Sequence, residues 1–203
     1  MPYKLRQASP RDLPGIAQIY APYVTDTVVT FEYEPPSVEE FAARYRAGAA
    51  DFPWLVCEAE GALAGYAYAH RAFERAAYQW NAELSVYLAP AHQRRGIAAQ
   101  LYRAIESFLR QQGYCHLYAS ITSANEASGR FHSAAGFERF AVFKRCGYKH
   151  GAWHDVVWYQ KQLNEPIGTQ APPVPFSALP AKTVAAVLTE ATSALQARPS
   201  ALR

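Results

Sequence analysis

Cysteine is scarce in this chain and widely dispersed: Cys57, Cys115 and Cys146 are the three among 203 residues. An odd number at such spacings forms no C-x-x-C pair, so neither a disulfide framework nor a cysteine metal site is indicated. We expect reduced, mostly buried thiols and no bound metal. Long apolar runs are missing as well. No stretch approaches the roughly 18 residues that suggest a membrane span, so no membrane partner is expected. The opening residues Met1 to Arg6 lack the apolar core of a signal peptide, and a cytoplasmic location is expected. A large excess of either charge is absent, the net charge being +3 with the basic residues scattered. That distribution argues against a nucleic-acid partner. Two phosphate-binding signatures are absent: no Gly-Lys-Ser/Thr occurs, nor the G-x-G-x-x-G of dinucleotide folds. What remains is a chain half hydrophobic by composition. It is long enough for one domain, or one domain with an appendage.

The most informative stretch runs from Ser85 to Ala98. Ser85-Val86-Tyr87-Leu88 continues an apolar alternation and reads as the end of a strand. A short polar turn follows, then Gly96, then an amphipathic segment from Ile97 with Leu101, Tyr102, Ile105, Phe108 and Leu109 along one side. Strand, glycine-bearing turn and helix together aim backbone N–H groups and the positive end of a helix dipole at one spot. Gln93, Arg94 and Arg95 suit an anion there. A plain strand-to-helix turn has the same spelling, so these residues need support from elsewhere in the chain.

That support begins with element order. Residues 3–8 read as a first strand. Ser9 and Pro10 open a helix as N-cap and first helical residue, with Ile16, Ile19, Tyr20 and Tyr23 on its apolar face. Ser37-Val38-Glu39-Glu40 is a capping box for a second helix. Residues 54–59 and 63–70 form a hairpin around Glu60-Gly61, and 71–79 read as a loop. The strand 80–88 leads into the motif, and its helix ends at Gly113. Then come a strand at 116–122, a short helix from Asn125 to Gly136, and a hairpin of strands 138–148 and 153–162. The repeated strand–helix alternation of a doubly wound sheet does not occur. Residues 164–203 change character, with five prolines (166, 172, 173, 175 and 180) preceding an Ala-rich segment at 181–197. We read 1–163 as the domain and 164–203 as a linker plus a helix, docked on its own domain or on a second subunit, or else a frayed tail.

Gln93-x-x-Gly96-x-Ala98 resembles the Gln/Arg-x-x-Gly-x-Gly/Ala signature of the GNAT N-acetyltransferases. Asn125-Glu126-Ala127-Ser128 followed by Phe131-His132-Ser133-Ala134-Ala135-Gly136-Phe137 resembles the family's next block. The chain is similar in particular to the phosphinothricin acetyltransferase branch, over about residues 3–163. Ala77-Tyr78-Gln79-Trp80, Glu83 to Tyr87, and above all Gly147-Tyr148-Lys149-His150-Gly151-Ala152-Trp153-His154-Asp155-Val156 carry that similarity. The resemblance implies an α/β (α+β) fold with a mixed, mostly antiparallel sheet of about seven strands flanked by helices. It also implies acetyl-coenzyme A as cosubstrate, a small amino-acid analogue such as phosphinothricin or methionine sulfoximine/sulfone as acceptor, and a homodimer.

Site residues follow from this resemblance. The cofactor would be held largely by backbone: the strand end Val86, Tyr87 and Leu88 along the pantetheine arm, and the N–H groups of Arg94, Arg95, Gly96, Ile97 and Ala98, with Gln93, at the pyrophosphate. Asn125 and Ser128 would meet the arm. Ala98 replaces a glycine, which backbone recognition tolerates. Acyl transfer to an amine needs a neutral nucleophile, a polarised carbonyl, a departing thiolate and two substrates held together. Glu83 and His132 are the candidate acid/base groups, and the sequence does not rank them as proton acceptor. Arg71, Arg75 and Lys149 are candidate partners for an anionic acceptor, with Phe31, Tyr78 and Trp80 shaping its pocket. No base-bearing motif surrounds a cysteine, so direct transfer is expected. Another small amine, a protein N-terminus or a non-catalytic acetyl-CoA sensor are the other readings. The Arg71–Arg75 loop disfavours a polyamine.

Overall fold

The structure, a computed structural model, describes residues 3–197, so the outermost ends of the two expected units, 1–2 and 198–203, lie outside the described residues. Seven strands form one sheet: β1 (Tyr3–Gln7), β2 (Trp54–Ala59), β3 (Ala62–Arg71), β4 (Asn81–Leu88), β5 (His116–Thr122), β6 (Glu138–Lys149) and β7 (Ala152–Gln162). Their spatial order is β1-β2-β3-β4-β5-β7-β6. Every neighbouring pair is antiparallel except β4 and β5. Five helices flank it: α1 (Leu13–Thr25), α2 (Val38–Gly48), α3 (Ile97–Gln112), α4 (Glu126–Ala134) and α5 (Ala181–Gln196).

Local chemistry accounts for these boundaries. In the β2–β3 hairpin Glu60 and Gly61 take φ of 53° and 82°, and in the β6–β7 hairpin His150 and Gly151 take 49° and 76°. Two consecutive left-handed residues are what a two-residue hairpin turn requires, and the second is glycine in both. Ser37 and Glu40 cap α2 reciprocally, the Glu40 amide donating to Ser37 Oγ at 3.2 Å and the Ser37 amide to Glu40 Oε2 at 2.7 Å. At Ser9-Pro10 the chain differs from the expectation. Pro10–Asp12 form a single 3₁₀ turn and α1 starts only at Leu13. Asp12 accepts from the Ser9 amide and hydroxyl, and Arg6 holds it from outside at 2.6 Å. Burial pushes the Asp12 carboxyl up, but these donors outweigh it and hold it down at about 2.

Two hydrophobic layers sandwich the sheet. One, built on Ile16, Tyr20, Phe41, Trp54 and Tyr66, joins α1 and α2 to one face. The other, built on Leu55, Ala67, Leu84, Leu101, Ile105, Phe108 and Leu117, joins α3 to the opposite face. The helix α5 belongs to this second layer. Its Ala191 and Leu195 are buried against the α3 side, while Thr192 Oγ1 accepts from the Leu5 amide and Gln196 Nε2 donates to Tyr3 O. The segment leading to it is tied down too, with Phe176 buried against Phe108 and Trp80 Nε1 donating to Ala171 O at 2.9 Å. The edge strand β1 is thereby covered by a helix, which removes an open template for strand addition.

Candidate active site

The only parallel pair in the sheet opens the site. Hydrogen-bonded register between β4 and β5 covers Asn81–Glu83 with His116–Tyr118 and stops there. Beyond that vertex the strands part, because β4 continues along β3 to Leu88 while β5 follows β7 to Thr122. Tyr23 Oη donates to Leu88 O at 2.6 Å and accepts from the Leu88 amide at 3.3 Å, so the Leu88 peptide groups face away from β3. The two-residue repeat of a strand turns those of Val86 and Leu84 to the same edge. At Val86 that edge faces a cavity of about 620 Å³, while at Leu88 Tyr23 Oη occupies it.

One end of the cavity is the turn before α3. Gly96, its N-cap, has φ 84° and Arg94 has φ 58°, both left-handed. A left-handed arginine is strained, and it persists where the surroundings dictate the turn. The first amides of α3 have no partners within the helix and face an anion-friendly dipole end. Gln93, Arg94 and Ala98 line this part of the cavity, whereas the Ile97 side chain is fully buried in the core. Arg95 is exposed beside them, so Arg95, Gly96 and Ile97 can serve the site through their backbone.

At the vertex sits Glu83, whose Oε1 accepts from Ser120 Oγ at 2.6 Å, joining β4 to β5 where their ladder ends. Alternation places Glu83 on the face of Ser85 and Tyr87, which is the α1–α2 face. On that side the segment between α1 and α2 supplies Val29, Thr30 and Phe31 to the cavity wall. The β5 side supplies Ser120, Ile121 and Thr122. Thr122 Oγ1 is buried without a hydrogen-bond partner, an unsatisfied group at the cavity surface.

His132 enters from α4, buried to 3% exposure and walled by the rings of Tyr102, Phe131, Phe137 and Tyr159. Its Nδ1 lies 2.8 Å from Ser128 O and its Nε2 2.6 Å from Tyr102 Oη. A carbonyl only accepts, so Nδ1 carries the proton and Nε2 accepts the phenol proton. Burial pushes the His132 pKa down, and the hydrogen bond to Ser128 O opposes this only in part. The ring is therefore neutral near pH 7, with its basic nitrogen taken by Tyr102. Burial likewise pushes the Tyr102 phenol up, so it remains protonated.

The sequence expectations divide on this geometry. Glu83, His132, Val86, Tyr87, Leu88, Gln93, Arg94, Ala98, Ser128, Asn125 and Phe31 meet around one cavity. Asn125 Oδ1 accepts from the Ser128 amide at 3.2 Å, so its carbonyl oxygen caps α4. The expected acceptor clamp is not assembled there. Arg71 points with Asp51, Phe52 and Tyr114 into a separate hollow, because it is a position out of phase with Glu83's neighbour His70 on β3. Arg75 precedes an exposed 3₁₀ turn without a side-chain capping bond, and Tyr78 packs on Phe73 at 5.1 Å. Trp80 is engaged with Ala171. Lys149 is 3% exposed and spends its Nζ on Val24 O and Thr30 O. Conversely, Tyr102, Ser120 and Tyr23 line the cavity without having been singled out. Tyr102 falls on the apolar stripe of α3, where a tyrosine reads as core, and its hydroxyl partner is 30 residues away.

A splayed β4–β5 pair, with an anion-binding helix start at one end and a carboxylate at the vertex, defines a group-transfer enzyme taking an extended, phosphate-bearing donor. The chain belongs to the GNAT acetyltransferases: the family described as acetyltransferase (GNAT) domain matches residues 5–158. Among its relatives is the phosphinothricin N-acetyltransferase of Streptomyces viridochromogenes, 35% identical over 86% of this chain and 93% of that protein. Another is the L-methionine sulfoximine/L-methionine sulfone acetyltransferase of Salmonella typhimurium, 32% identical over 79% of this chain and 95% of that one. In structure it is similar to a GNAT superfamily phosphinothricin acetyltransferase from Sinorhizobium meliloti in complex with AcCoA. The two share 33% identity and a TM-score of 0.80, over 87% of this chain and 99% of that one. The fold is the GNAT fold, and the protein is an N-acetyltransferase by family. Among the described residues no helix is long and apolar enough to cross a membrane.

Proposed function

We propose that this chain transfers acetyl from acetyl-CoA to the α-amino group of a small amino-acid analogue of the phosphinothricin or methionine sulfoximine/sulfone type. The single observation that carries it is the carboxylate of Glu83 at the vertex of the β4–β5 cleft, hydrogen-bonded to Ser120. The relatives' names supply the acceptor class. The residues present suit acetyl-CoA: the open peptide edge at Val86, next to Leu88 whose own peptide groups Tyr23 Oη holds, can meet an amide of a pantetheine arm, and the start of α3 suits its pyrophosphate.

Acetyl-CoA supplies an activated thioester. The chain's part is to align it with the amine and to handle protons. As the N–C bond forms, the nitrogen's proton becomes acidic and Glu83 accepts it, directly or through the Ser120 hydroxyl or a water; the C–S bond breaks and coenzyme A leaves as a thiolate that takes its proton from solvent or from the now protonated Glu83. Glu83 is preferred to His132 as acceptor because His132 Nε2 already accepts a hydrogen bond from the Tyr102 hydroxyl, in a site where burial disfavours imidazolium. The neutral His132–Tyr102 pair, its hydroxyl hydrogen directed at Nε2, lines the cavity's α3–α4 wall without carrying charge. Transfer is direct. Among the described residues no cysteine lines the cavity, and burial pushes the Cys57 thiol up to about 12.

The test is thiol release from acetyl-CoA with a panel of amines: phosphinothricin, methionine sulfoximine, methionine sulfone, ordinary amino acids, a polyamine and an N-terminal peptide. Faster turnover of the analogues than of the peptide and polyamine is expected. Release with the peptide alone, or acetyl-CoA binding with no release for any amine, overturns the reading.

A further inference from the structure

The β6–β7 hairpin grips the segment that forms one wall of the cavity. Lys149, the last residue of β6, donates from Nζ to Val24 O at 2.6 Å and to Thr30 O at 2.8 Å. Tyr33 Oη donates to Tyr148 O at 2.6 Å. Gly147 faces the Phe31 ring so closely that a Cβ there would overlap it. The His154 ring lies 6.3 Å from the same phenyl, and its Nε2 donates to Lys149 O at 3.0 Å. On the far side Arg44 of α2 pairs with Glu32 at 2.8 Å.

These contacts bracket the three residues that reach the cavity, Val29, Thr30 and Phe31. Val24 belongs to the last turn of α1, whose carbonyls lack helical partners and favour a cation. A buried ammonium bonded to that carbonyl and to Thr30 O ties the helix end to the wall it leads into. We propose that Lys149 is a positioning residue for acceptor selectivity, holding residues 24–33 so that Phe31, seated in the notch at Gly147, sets the width of the acceptor end. This rests on the reading that the amine approaches on Glu83's face of β4. Lys149 thereby acts through Phe31 and does not touch the acceptor's carboxylate, since two of its three N–H groups go to the wall and its side chain lies outside the cavity lining.

The measurement is steady-state kinetics on Lys149→Met and Gly147→Ala with an amine the wild type acetylates, alongside calorimetric binding of acetyl-CoA. The expected result is an acceptor KM raised about tenfold or more in both variants. kcat at saturating acceptor should stay within about threefold and acetyl-CoA affinity within about twofold. Preference between a short and a long amino-acid acceptor should shift as well. An unchanged acceptor KM in both variants, or a loss confined to kcat or to acetyl-CoA binding, overturns the proposal. If Lys149→Met does not fold, Lys149→Gln is measured in its place with the same expected and overturning results, while Gly147→Ala tests the Phe31 end of the proposal with the ammonium still bonded. A wild type that releases no thiol with any amine would instead sink the function proposed above, so the two failures are distinct.

Discussion

Replacing Glu83 by glutamine tests the chemistry with little change of shape. Ser120 Oγ donates to the Glu83 carboxylate at 2.6 Å, and the amide oxygen of a glutamine at the same position can still accept that bond. The bridge between β4 and β5 therefore survives. What disappears is the proton acceptor. A positioned general base typically contributes about 10²–10⁴ in rate. At about 1.36 kcal/mol per factor of ten this is about 2.7–5.4 kcal/mol of barrier. Glu83 is only part-buried and water can reach it, so the lower part of that range, about 10²–10³ in kcat, is expected. Ser120→Ala provides the scale for the hydrogen bond alone. Ser120 is exposed, and its removal should cost less than about 1.4 kcal/mol, under tenfold in rate. The assay is thiol release at saturating acetyl-CoA and acceptor across a pH range of about three units around neutrality and above. In Glu83→Gln the rate should keep climbing with hydroxide where the wild type levels off, while acetyl-CoA affinity stays within about twofold. A variant within about threefold of wild-type kcat, or one whose loss appears as weaker acetyl-CoA binding, would refute the assignment of Glu83 as proton acceptor.

Two further outcomes follow from packing and burial. The folded-state pKa of His132 lies below its ordinary 6.5, so between the two values the unfolded chain binds the extra proton. Stability should therefore fall as pH drops below 6.5 and be insensitive to this group above it. Denaturant unfolding at two pH values, about one unit either side of that ordinary value, should show a gap that shrinks in His132→Gln. An identical gap in the variant would mean that His132 does not titrate on unfolding. Leu195, 4% exposed where α5 meets α3, should cost about 2–4 kcal/mol on truncation to alanine, lowering Tm by about 6–10 °C. Turnover at 25 °C should be unaffected, because α5 packs on α3 and β1 and supplies no side chain to the cavity. A stable Leu195→Ala protein would show that the helix is not docked as described.

Elements whose signal is local were legible without coordinates. The apolar periods of α1 and α3, the capping box of α2, the turns at Glu60-Gly61 and Lys149-His150-Gly151, and the Gly96 turn each depend on neighbours within a few residues. Their order along the chain matches the family's sheet, and the Gln93–Ala98 turn presents backbone groups that any compatible side chains preserve. Interactions between distant segments were not legible. Lys149 reads as a free cation near a substrate, yet its ammonium meets carbonyls 119 and 125 residues away. Arg71 and Arg75 read as an anion clamp, but strand phase and loop path send them elsewhere. Tyr102 reads as a core aromatic, and only the approach of α4 makes it the partner of His132. The Ala-rich segment at 181–197 carries an apolar face whose counterparts, α3 and the β1 edge, lie far from it in sequence. Which groups can bind a phosphate, accept a proton or fill a core was readable from residue order alone, because those are properties of residue type and short-range geometry. Tertiary structure decided which of them share a cavity, because that depends on where β4 and β5 part and on which side each long-range contact pulls a side chain.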